Sequence, residues 1–279
     1  MLGLIANTGK MSARRVLRAM MNELQSQNMP FVLESATAEK FGHPEGMALS
    51  QLEKKCSMLI VLGGDGTLLR TVHSLGTPQC PVFGINLGSL GFLTAASPAD
   101  IPGVVASIRD KSYILSKRTL IKAEILSTGK NFHALNDVVL GRGARPALVK
   151  LSLAIAGVPL TGYNADGLIV ATPTGSTAYS LSAGGPILSP ESGCFVITPI
   201  CPHALSSRPF VVNEQSAIEI TVVEKGQEVV LTVDGQDITA LRYGDTLRVV
   251  RSSRTCPLAM LHSFPEILRA KLKWRGSSM

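Results

Sequence analysis

The segment Leu59–Leu69, LIVLGGDGTLL, places a glycine-rich turn between a buried strand and a helix. Four apolar residues come first, then Gly63-Gly64-Asp65-Gly66-Thr67, and apolar side chains at helical spacing follow from Leu68. Three glycines in four positions let the backbone approach a ligand closely. Amides at the start of a helix point toward a bound anion. We therefore predict a phosphate-binding loop formed by Gly63, Gly64, Gly66 and Thr67.

Asp65 is the one carboxylate in this turn. An acid among anion-binding amides is out of place if the loop only captures phosphate. It fits a residue that handles a proton or a metal ion beside a phosphate. The alternative is that Asp65 or Thr67 caps the following helix. We predict that Asp65 is catalytic.

Strands and helices alternate over the first part of the chain, which predicts a parallel, Rossmann-like sheet with helices on both faces. Ser12 is placed to cap the first helix, and a single helix after the second strand is expected to end near Lys55. We assign residues 1–112 to this α/β domain. Its predicted strands are Leu2–Ala6, Phe31–Leu33, Leu59–Leu62 and Val82–Ile85, and Pro98–Arg109 is predicted as a helix.

From Tyr113 to Arg251 the pattern changes to short runs rich in β-branched residues, several of which alternate apolar and polar side chains. One helix is expected among them, near Ser176–Ala183. We assign residues 113–251 to an all-β, β-sandwich-like domain. The tail, 252–279, regains helical character at Phe264–Trp274, and we expect it to pack back on the first domain.

Composition narrows the class of partner. The 279 residues carry 27 Lys and Arg against 20 Asp and Glu, a net charge of +7, which favours polyanionic partners. Aromatic residues make up only 5%, and no nucleic-acid-binding signature appears, so nucleic acid is disfavoured. The five cysteines show no Cys-x-x-Cys pair, as expected for reduced thiols of a cytoplasmic protein. Gly167–Pro190 is uncharged but too rich in Gly, Pro, Ser and Thr to span a membrane.

The turn after the apolar strand resembles a known signature. GGDGT in this context is shared by NAD kinases, by diacylglycerol and sphingosine kinases and, more distantly, by phosphofructokinases. The resemblance implies a phosphotransferase that acts on an alcohol group, and it leaves the acceptor open.

A second motif narrows the acceptor. Between Asp166 and Arg208 the only charged residue is Glu191, and the segment Thr174–Ser182 has more hydroxyl groups than helix capping needs. From Asp166 to Pro186 the sequence resembles the NAD kinase family, whereas lipid kinases lack this motif. Three shorter segments also resemble bacterial NAD kinases: Asn136-Asp137, where the family has Asn-Glu; Asn86–Leu93, with a Gly-x-Leu-Gly-Phe loop; and Val233–Gln236.

The resemblance, which runs from Gly63 to Gln236, implies transfer of a phosphoryl group from ATP to the adenosine ribose 2′-hydroxyl of NAD. Asp65 would be the general base, Asp166 would accept from the nicotinamide carboxamide, and Mg²⁺ would accompany the donor, with no metal site of the protein's own. Phe92 would either stack on a base or anchor its loop. The NAD-binding residues so implied are Asp65, Gly66, Arg70, Asn136, Asp137, Asn164, Asp166, Thr177, Ala178, Tyr179, Ser182 and Gln236.

Several alternatives stay open at this point. A lipid kinase would share GGDGT, and a non-catalytic NAD sensor would share the binding motifs. The residue two before the nicotinamide-binding acid tends to track with donor choice in the family, but Asn164 matches neither the ATP nor the polyphosphate pattern. The family forms dimers or tetramers that share nucleotide sites, with the Asp234–Gln236 turn reaching a neighbour. A mean hydropathy of +0.25 fits a homo-oligomer.

Overall fold

The computed structural model describes residues 1–75, 80–94, 96–143, 147–226 and 228–274. The chain divides into two compact units. The first comprises Met1–Lys117 with Cys256–Met279, and the second comprises Arg118–Thr255.

The first unit is an α/β layer structure, as predicted. Four of its strands lie parallel in the order β2 (Phe31–Leu33), β1 (Leu2–Ala6), β3 (Met58–Gly63) and β4 (Val82–Asn86). The side chains of β1 and β3 are buried, as expected for strands covered by helices on both faces. The helices that follow these strands along the chain are α1 (Ala13–Ser26), α2 (Ser35–Phe41), α3 (Leu49–Lys55), α4 (Asp65–Leu75) and α5 (Ile101–Arg109).

Three helix predictions need correction. The segment expected as one helix ending near Lys55 forms α2 and α3, because Gly42 adopts φ 72° and ends α2 in a left-handed cap. Ser12 does precede α1, but its side chain makes no capping hydrogen bond. The first turn of the Pro98–Arg109 helix is a separate 3₁₀ turn, Pro98–Asp100.

The second unit is an all-β structure of two antiparallel sheets. One sheet has the strand order β12-β11-β10-β7-β14-β15, and the other contains β16-β13-β8-β9, with β5 pairing β6 and β16. The strands are β5 (Ile114–Ile125), β6 (Lys130–Ala134), β7 (Asp137–Arg142), β8 (Val149–Ile155), β9 (Val158–Ala165), β10 (Gly167–Ala171), β11 (Cys194–Ile200), β12 (Phe210–Asn213), β13 (Ile218–Val222), β14 (Val229–Val233), β15 (Gln236–Leu241) and β16 (Thr246–Met260).

One apolar core lies between these two sheets. Phe195 and Leu231 contribute from the six-stranded sheet, and Leu151 and Ile220 from the other; all four are buried. The predicted β-sandwich-like fold is therefore confirmed. The helix expected near Ser176–Ala183 is shorter than predicted: a 3₁₀ turn at Gly175–Thr177 is followed by a single helical turn, α6 (Tyr179–Ser182).

The C-terminal segment returns to the first unit, as predicted. In β16, Leu258 and Ala259 pair in parallel with Val82 and Phe83 of β4. The last helix, α7 (Phe264–Leu272), buries Ile267. None of the helices in the described part of the chain is long and apolar enough to cross a membrane.

Candidate active site

The glycine turn joins β3 directly to α4 in the first unit. A Cβ at Gly63 would overlap the side chain of Thr67, so glycine allows the first helical turn to close on the strand. The Thr67 hydroxyl accepts from Asn7 Nδ2 at 3.0 Å and from the Gly64 amide at 3.5 Å. Gly66 is exposed, and a Cβ there would meet no atom within 4 Å. The predicted phosphate-binding loop thus has an accessible face at Gly66.

Asp65 is the first residue of α4, and its carboxylate does not cap this helix. It accepts four hydrogen bonds from a later loop instead. Phe92 N donates to Oδ2 at 2.9 Å. Leu93 N, Thr94 N and Thr94 Oγ1 donate to Oδ1 at 3.2, 2.9 and 2.7 Å. The capping alternative is therefore wrong for Asp65, whose carboxylate joins two of the motifs found in the sequence.

The loop that holds Asp65 needs a glycine at position 91, because a Cβ at Gly91 would overlap the Asp65 carboxylate. The sequence showed the glycines of this loop but gave no sign that they face an acid 26 residues earlier. Phe92, whose side chain is half-buried, contributes its backbone amide to this arrangement.

Lys10, which follows β1 and was not predicted as a site residue, lies beside the glycine turn. Its ammonium nitrogen lies 3.5 Å from the position of a Cβ at Gly88 and 4.0 Å from one at Gly64. The only sequence signal was the Gly9-Lys10 pair, three and four residues after the end of the first parallel strand, at the carboxyl edge of the sheet, where ligands of such folds bind. Arg70, which was predicted, is exposed on α4.

In the second unit, Asp234 binds the backbone of the predicted Asn136-Asp137 motif. Its carboxylate accepts from the amides of Leu135, Asn136 and Asp137 at 2.8, 2.8 and 3.1 Å. Asp234 and Gly235 both have positive φ, 48° and 77°, as in a two-residue hairpin. The turn expected between β14 and β15 is therefore present, and it fixes a second segment that sequence reasoning did not connect to it.

The chain just before the hydroxyl-rich segment is hydrogen-bonded to the same segment, Leu135–Asp137. Thr172 Oγ1 donates to the Leu135 carbonyl at 2.6 Å, and the Thr172 amide donates to the Asn136 carbonyl at 2.8 Å. A Cβ at Gly175 would overlap the Asn136 backbone. The structure thus brings the Asn-Asp motif next to the start of the Gly-Ser-Thr-Ala-Tyr segment.

Asp137 is a buried acid in this cluster, with 5% of its surface exposed. Burial and, to a smaller extent, the nearby charge of Asp234 raise the pKa of its carboxyl from 3.8 to about 7. Asp137 therefore changes charge near neutral pH.

Not all the predicted NAD-binding residues lie together within the second unit. Thr177 donates to the Thr174 carbonyl at 3.0 Å, and Tyr179 and Ser182 are exposed on α6. Asp166 precedes β10, whereas Thr172 follows it, which separates the two by about 20 Å along an extended strand. Asp166 Oδ1 lies 3.4 Å from Arg142 Nε and forms an ion pair with it. Asn164 is an exposed residue of β9, and Gln236 is exposed beside the Asp234 turn.

Across the described residues, no group of three or more His, Cys, Asp or Glu side chains is arranged to hold a metal ion. All five cysteines are free, and Cys56, Cys80 and Cys256 are buried.

Models of protein families match both parts of the chain. The ATP-NAD kinase N-terminal domain matches residues 2–113, and the ATP-NAD kinase C-terminal domain matches residues 135–261. The chain belongs to the ATP-NAD kinase family. It is an enzyme of NAD kinase activity, the ATP-dependent phosphorylation of NAD.

Curated NAD kinases match this chain over nearly the full length of both proteins. The NAD kinase of Prosthecochloris aestuarii is 41% identical over 275 residues, which cover 97% of this chain and 96% of that protein. The NAD kinase of Chlorobium limicola is 40% identical, with 97% and 95% covered. These relatives settle the acceptor that GGDGT alone left open between NAD and a lipid.

Solved structures show the same fold. Yeast NADH kinase complexed with NADH superposes with a TM-score of 0.89 at 28% identity, covering 100% of this chain and 89% of that one. The NAD kinase of Archaeoglobus fulgidus in complex with ATP gives a TM-score of 0.80 at 24% identity, covering 99% and 100%.

Proposed function

We propose that this family member phosphorylates the 2′-hydroxyl of the adenosine ribose of NAD, with Asp65 as the general base. The observation that supports this role most directly is the fixed Asp65 carboxylate at the glycine turn, at the N-terminus of α4. The ribose oxygen forms a bond to the γ-phosphorus of ATP while the bond from that phosphorus to the bridging oxygen breaks. The hydroxyl proton passes to Asp65, and ADP leaves.

Positioning supplies most of the catalysis in such a reaction. Phosphoryl transfer has a loose transition state, so the proton leaves late and an ordinary carboxylate suffices as base. The backbone of Gly63, Gly64, Gly66 and Thr67 would bind phosphate oxygens, and the Lys10 ammonium would offset their charge. Both roles are supported by the exposed face at Gly66 and by the position of Lys10 Nζ near Gly64 and Gly88.

The β-rich domain, predicted at 113–251, would bind the dinucleotide and form the oligomer contacts. Asn136 and Asp137 would contact ribose or adenine, a role supported by the hydrogen bonds that their two amides donate to Asp234, which fix their backbone. Asp166 would accept from the nicotinamide carboxamide. The other proposed NAD-binding residues are Gly66, Arg70, Asn164, Thr177, Ala178, Tyr179, Ser182 and Gln236.

Mg²⁺ would enter as part of the donor. It keeps several waters and binds through one or two carboxylates together with substrate phosphates. We therefore propose that the phosphates of ATP are its main ligands and that it neutralises charge between donor and acceptor. The use of polyphosphate in place of ATP is tested by comparing turnover on both donors at matched phosphate.

The Asp65→Asn variant tests the base. This substitution keeps the shape of the side chain and removes its ability to take a proton. We expect kcat to fall at least about 10²-fold, as for the loss of general-base action, while calorimetry shows that NAD still binds. Turnover near that of the wild type would exclude Asp65 as the base.

A further inference from the structure

The hydroxyl of Thr94 lies between Asp65 and a second polar side chain of the first unit. Thr94 Oγ1 is 2.7 Å from Asp65 Oδ1, and Asn86 Nδ2 is 2.7 Å from the same hydroxyl oxygen. Thr94 is fully buried, and Asn86, the last residue of β4, has 5% of its surface exposed. A buried chain of hydrogen bonds therefore runs from Asn86 through Thr94 to Asp65.

The directions of these hydrogen bonds follow from their partners. The Gly88 amide donates to Asn86 Oδ1 at 2.8 Å, so the other branch of the Asn86 side chain is its NH₂ group, which can only donate. It donates to Thr94 Oγ1 at 2.7 Å. The hydroxyl has a single proton, and an ionised carboxylate only accepts. The Thr94 proton is therefore directed at Asp65.

Packing removes the rotational freedom that would let Thr94 turn away. A Cβ placed on Gly84 would lie 2.7 Å from the Thr94 methyl carbon, so this methyl sits against the bare backbone of β4. The amide of Thr94 also donates to Asp65 Oδ1, at 2.9 Å. The hydroxyl and the backbone of one residue thus hold the same carboxylate oxygen.

The two oxygens of Asp65 are not equally occupied. Oδ1 accepts three hydrogen bonds, from Leu93 N, Thr94 N and Thr94 Oγ1. Oδ2 accepts one from the described residues, that of Phe92 N. Because each carboxylate oxygen has about two acceptor sites, Oδ1 is saturated and Oδ2 retains one site.

We propose that Thr94, oriented by Asn86, is a positioning residue that fixes Asp65 so that Oδ2 faces the acceptor hydroxyl. The inference rests on the proposed role of Asp65 as the base. It assigns to the Asn86–Thr94 pair an effect on turnover rather than on substrate binding, because neither side chain needs to touch NAD.

Substitutions at Thr94 separate its hydroxyl from its packing. Thr94→Val keeps the shape and removes the donor, whereas Thr94→Ser keeps the donor. We expect kcat to fall at least about 10-fold in Thr94→Val, since small misplacements of a catalytic group cost this much or more. The KM values for NAD and ATP should stay within about twofold, and Thr94→Ser should retain most of the activity.

Asn86→Asp gives a second test that keeps the side-chain size. Its carboxylate still accepts from the Gly88 amide, but it competes with Asp65 for the Thr94 proton. The expected result is again a lower kcat with little change in KM. Thr71→Val is the matched control, because Thr71 is a buried threonine of α4 whose hydroxyl donates to the Thr67 carbonyl at 3.0 Å. It should leave kcat unchanged.

A double-mutant cycle decides whether Thr94 acts through Asp65. In the Asp65→Asn background, Thr94→Val should change the residual activity less than twofold. An equal loss in both backgrounds, or a loss that appears in KM rather than in kcat, would overturn the positioning role and leave Asp65 as the base. Wild-type turnover in Asp65→Asn alone would instead overturn the proposed function. Should Thr94→Val fail to fold, the same cycle with Asn86→Asp gives the answer.

Discussion

At the scale of single residues, three carboxylates of this protein are held in three different ways. Asp65 accepts four hydrogen bonds, and Asp234 accepts three from backbone amides. Asp137 is buried beside the charge of Asp234, which leaves its charged form poorly solvated. The first two arrangements fix a carboxylate in place, whereas the third makes the charge of a side chain sensitive to pH.

The raised pKa of Asp137 predicts a pH-dependent stability. Between about pH 4 and pH 7 the native chain keeps a proton that the unfolded chain has lost, since burial raises the pKa from 3.8 to about 7. The free energy of unfolding therefore falls as the pH rises through this range, and stays low above it. In the wild type we expect the free energy of unfolding to fall by about 2–3 kcal/mol between pH 5 and pH 8, and Asp137→Asn should abolish this fall. Urea denaturation at the two pH values measures it.

Asp110→Asn provides the control for this experiment. Asp110 is exposed, and its hydrogen bond to Arg109 lowers the pKa of its carboxyl, so that it stays ionised from pH 5 to pH 8. Its removal should leave the pH dependence unchanged. If Asp137→Asn kept the full pH dependence of the wild type, the burial of a neutral Asp137 would be excluded.

The chemistry of single residues was only partly predictable from the sequence. Asp65 was recognisable because a carboxylate is unusual in a glycine turn. Its hydrogen-bond partners were not, since Phe92, Leu93 and Thr94 lie 27 to 29 positions later in the chain. Lys10 was missed for the same reason: only the parallel pairing of β1 with β3 brings its loop to the turn.

At the scale of secondary-structure elements, the hairpin β14–β15 has two functions. The turn reverses the chain, and the first residue of the turn, Asp234, binds the backbone amides of Leu135, Asn136 and Asp137. The Asp-Gly pair predicted the turn, because both residues tolerate positive φ. It could not predict the second function, which depends on β14 pairing with β7.

Removal of the Asp234 carboxylate should loosen this connection. Asp234→Gly deletes the three acceptor contacts without adding backbone strain, because glycine adopts positive φ freely. We expect a stability loss of about 2–4 kcal/mol, as for amides that lose a charged partner. The KM for NAD should rise, and hydrogen exchange of the Leu135–Asp137 amides should become faster. In Asp234→Asn, which keeps one side-chain oxygen and tolerates the same backbone conformation, the effects should lie between those in the wild type and in Asp234→Gly. Identical hydrogen exchange in all three proteins would contradict the role of Asp234 in holding this segment.

Strands were easier to predict than helices in this chain. Strands β1 and β2 have the predicted bounds, and β3 and β4 differ from theirs by at most one residue at each end, because a short apolar run directly reports a buried strand. Helix ends depended on single residues, and the break at Gly42 changed one predicted helix into two. The start of α4 likewise depends on a single residue: the helix begins at Asp65, three residues before its apolar pattern starts at Leu68.

At the scale of the whole molecule, one edge of the second unit stands out as a surface that a monomer would leave uncovered. In the described structure β9 pairs with β8 on one side, and its side chains Val158 and Leu160 are 67% and 55% exposed. An exposed edge strand with apolar side chains tends to pair with another chain. Together with the positive mean hydropathy of +0.25, this favours a homo-oligomer in which a second copy covers β9.

A charge on this edge should weaken the assembly. We expect Leu160→Lys to shift the mass measured by light scattering toward the monomer, because a buried lysine without a partner is costly at an interface. If the subunits share nucleotide sites, the specific activity of this variant should also fall on dilution at concentrations where the wild type is still active. Leu126→Lys, at another exposed leucine, should change neither property. A wild-type protein that is monomeric and fully active at assay concentration would exclude shared sites, and Gln236 would then be an ordinary residue beside a turn.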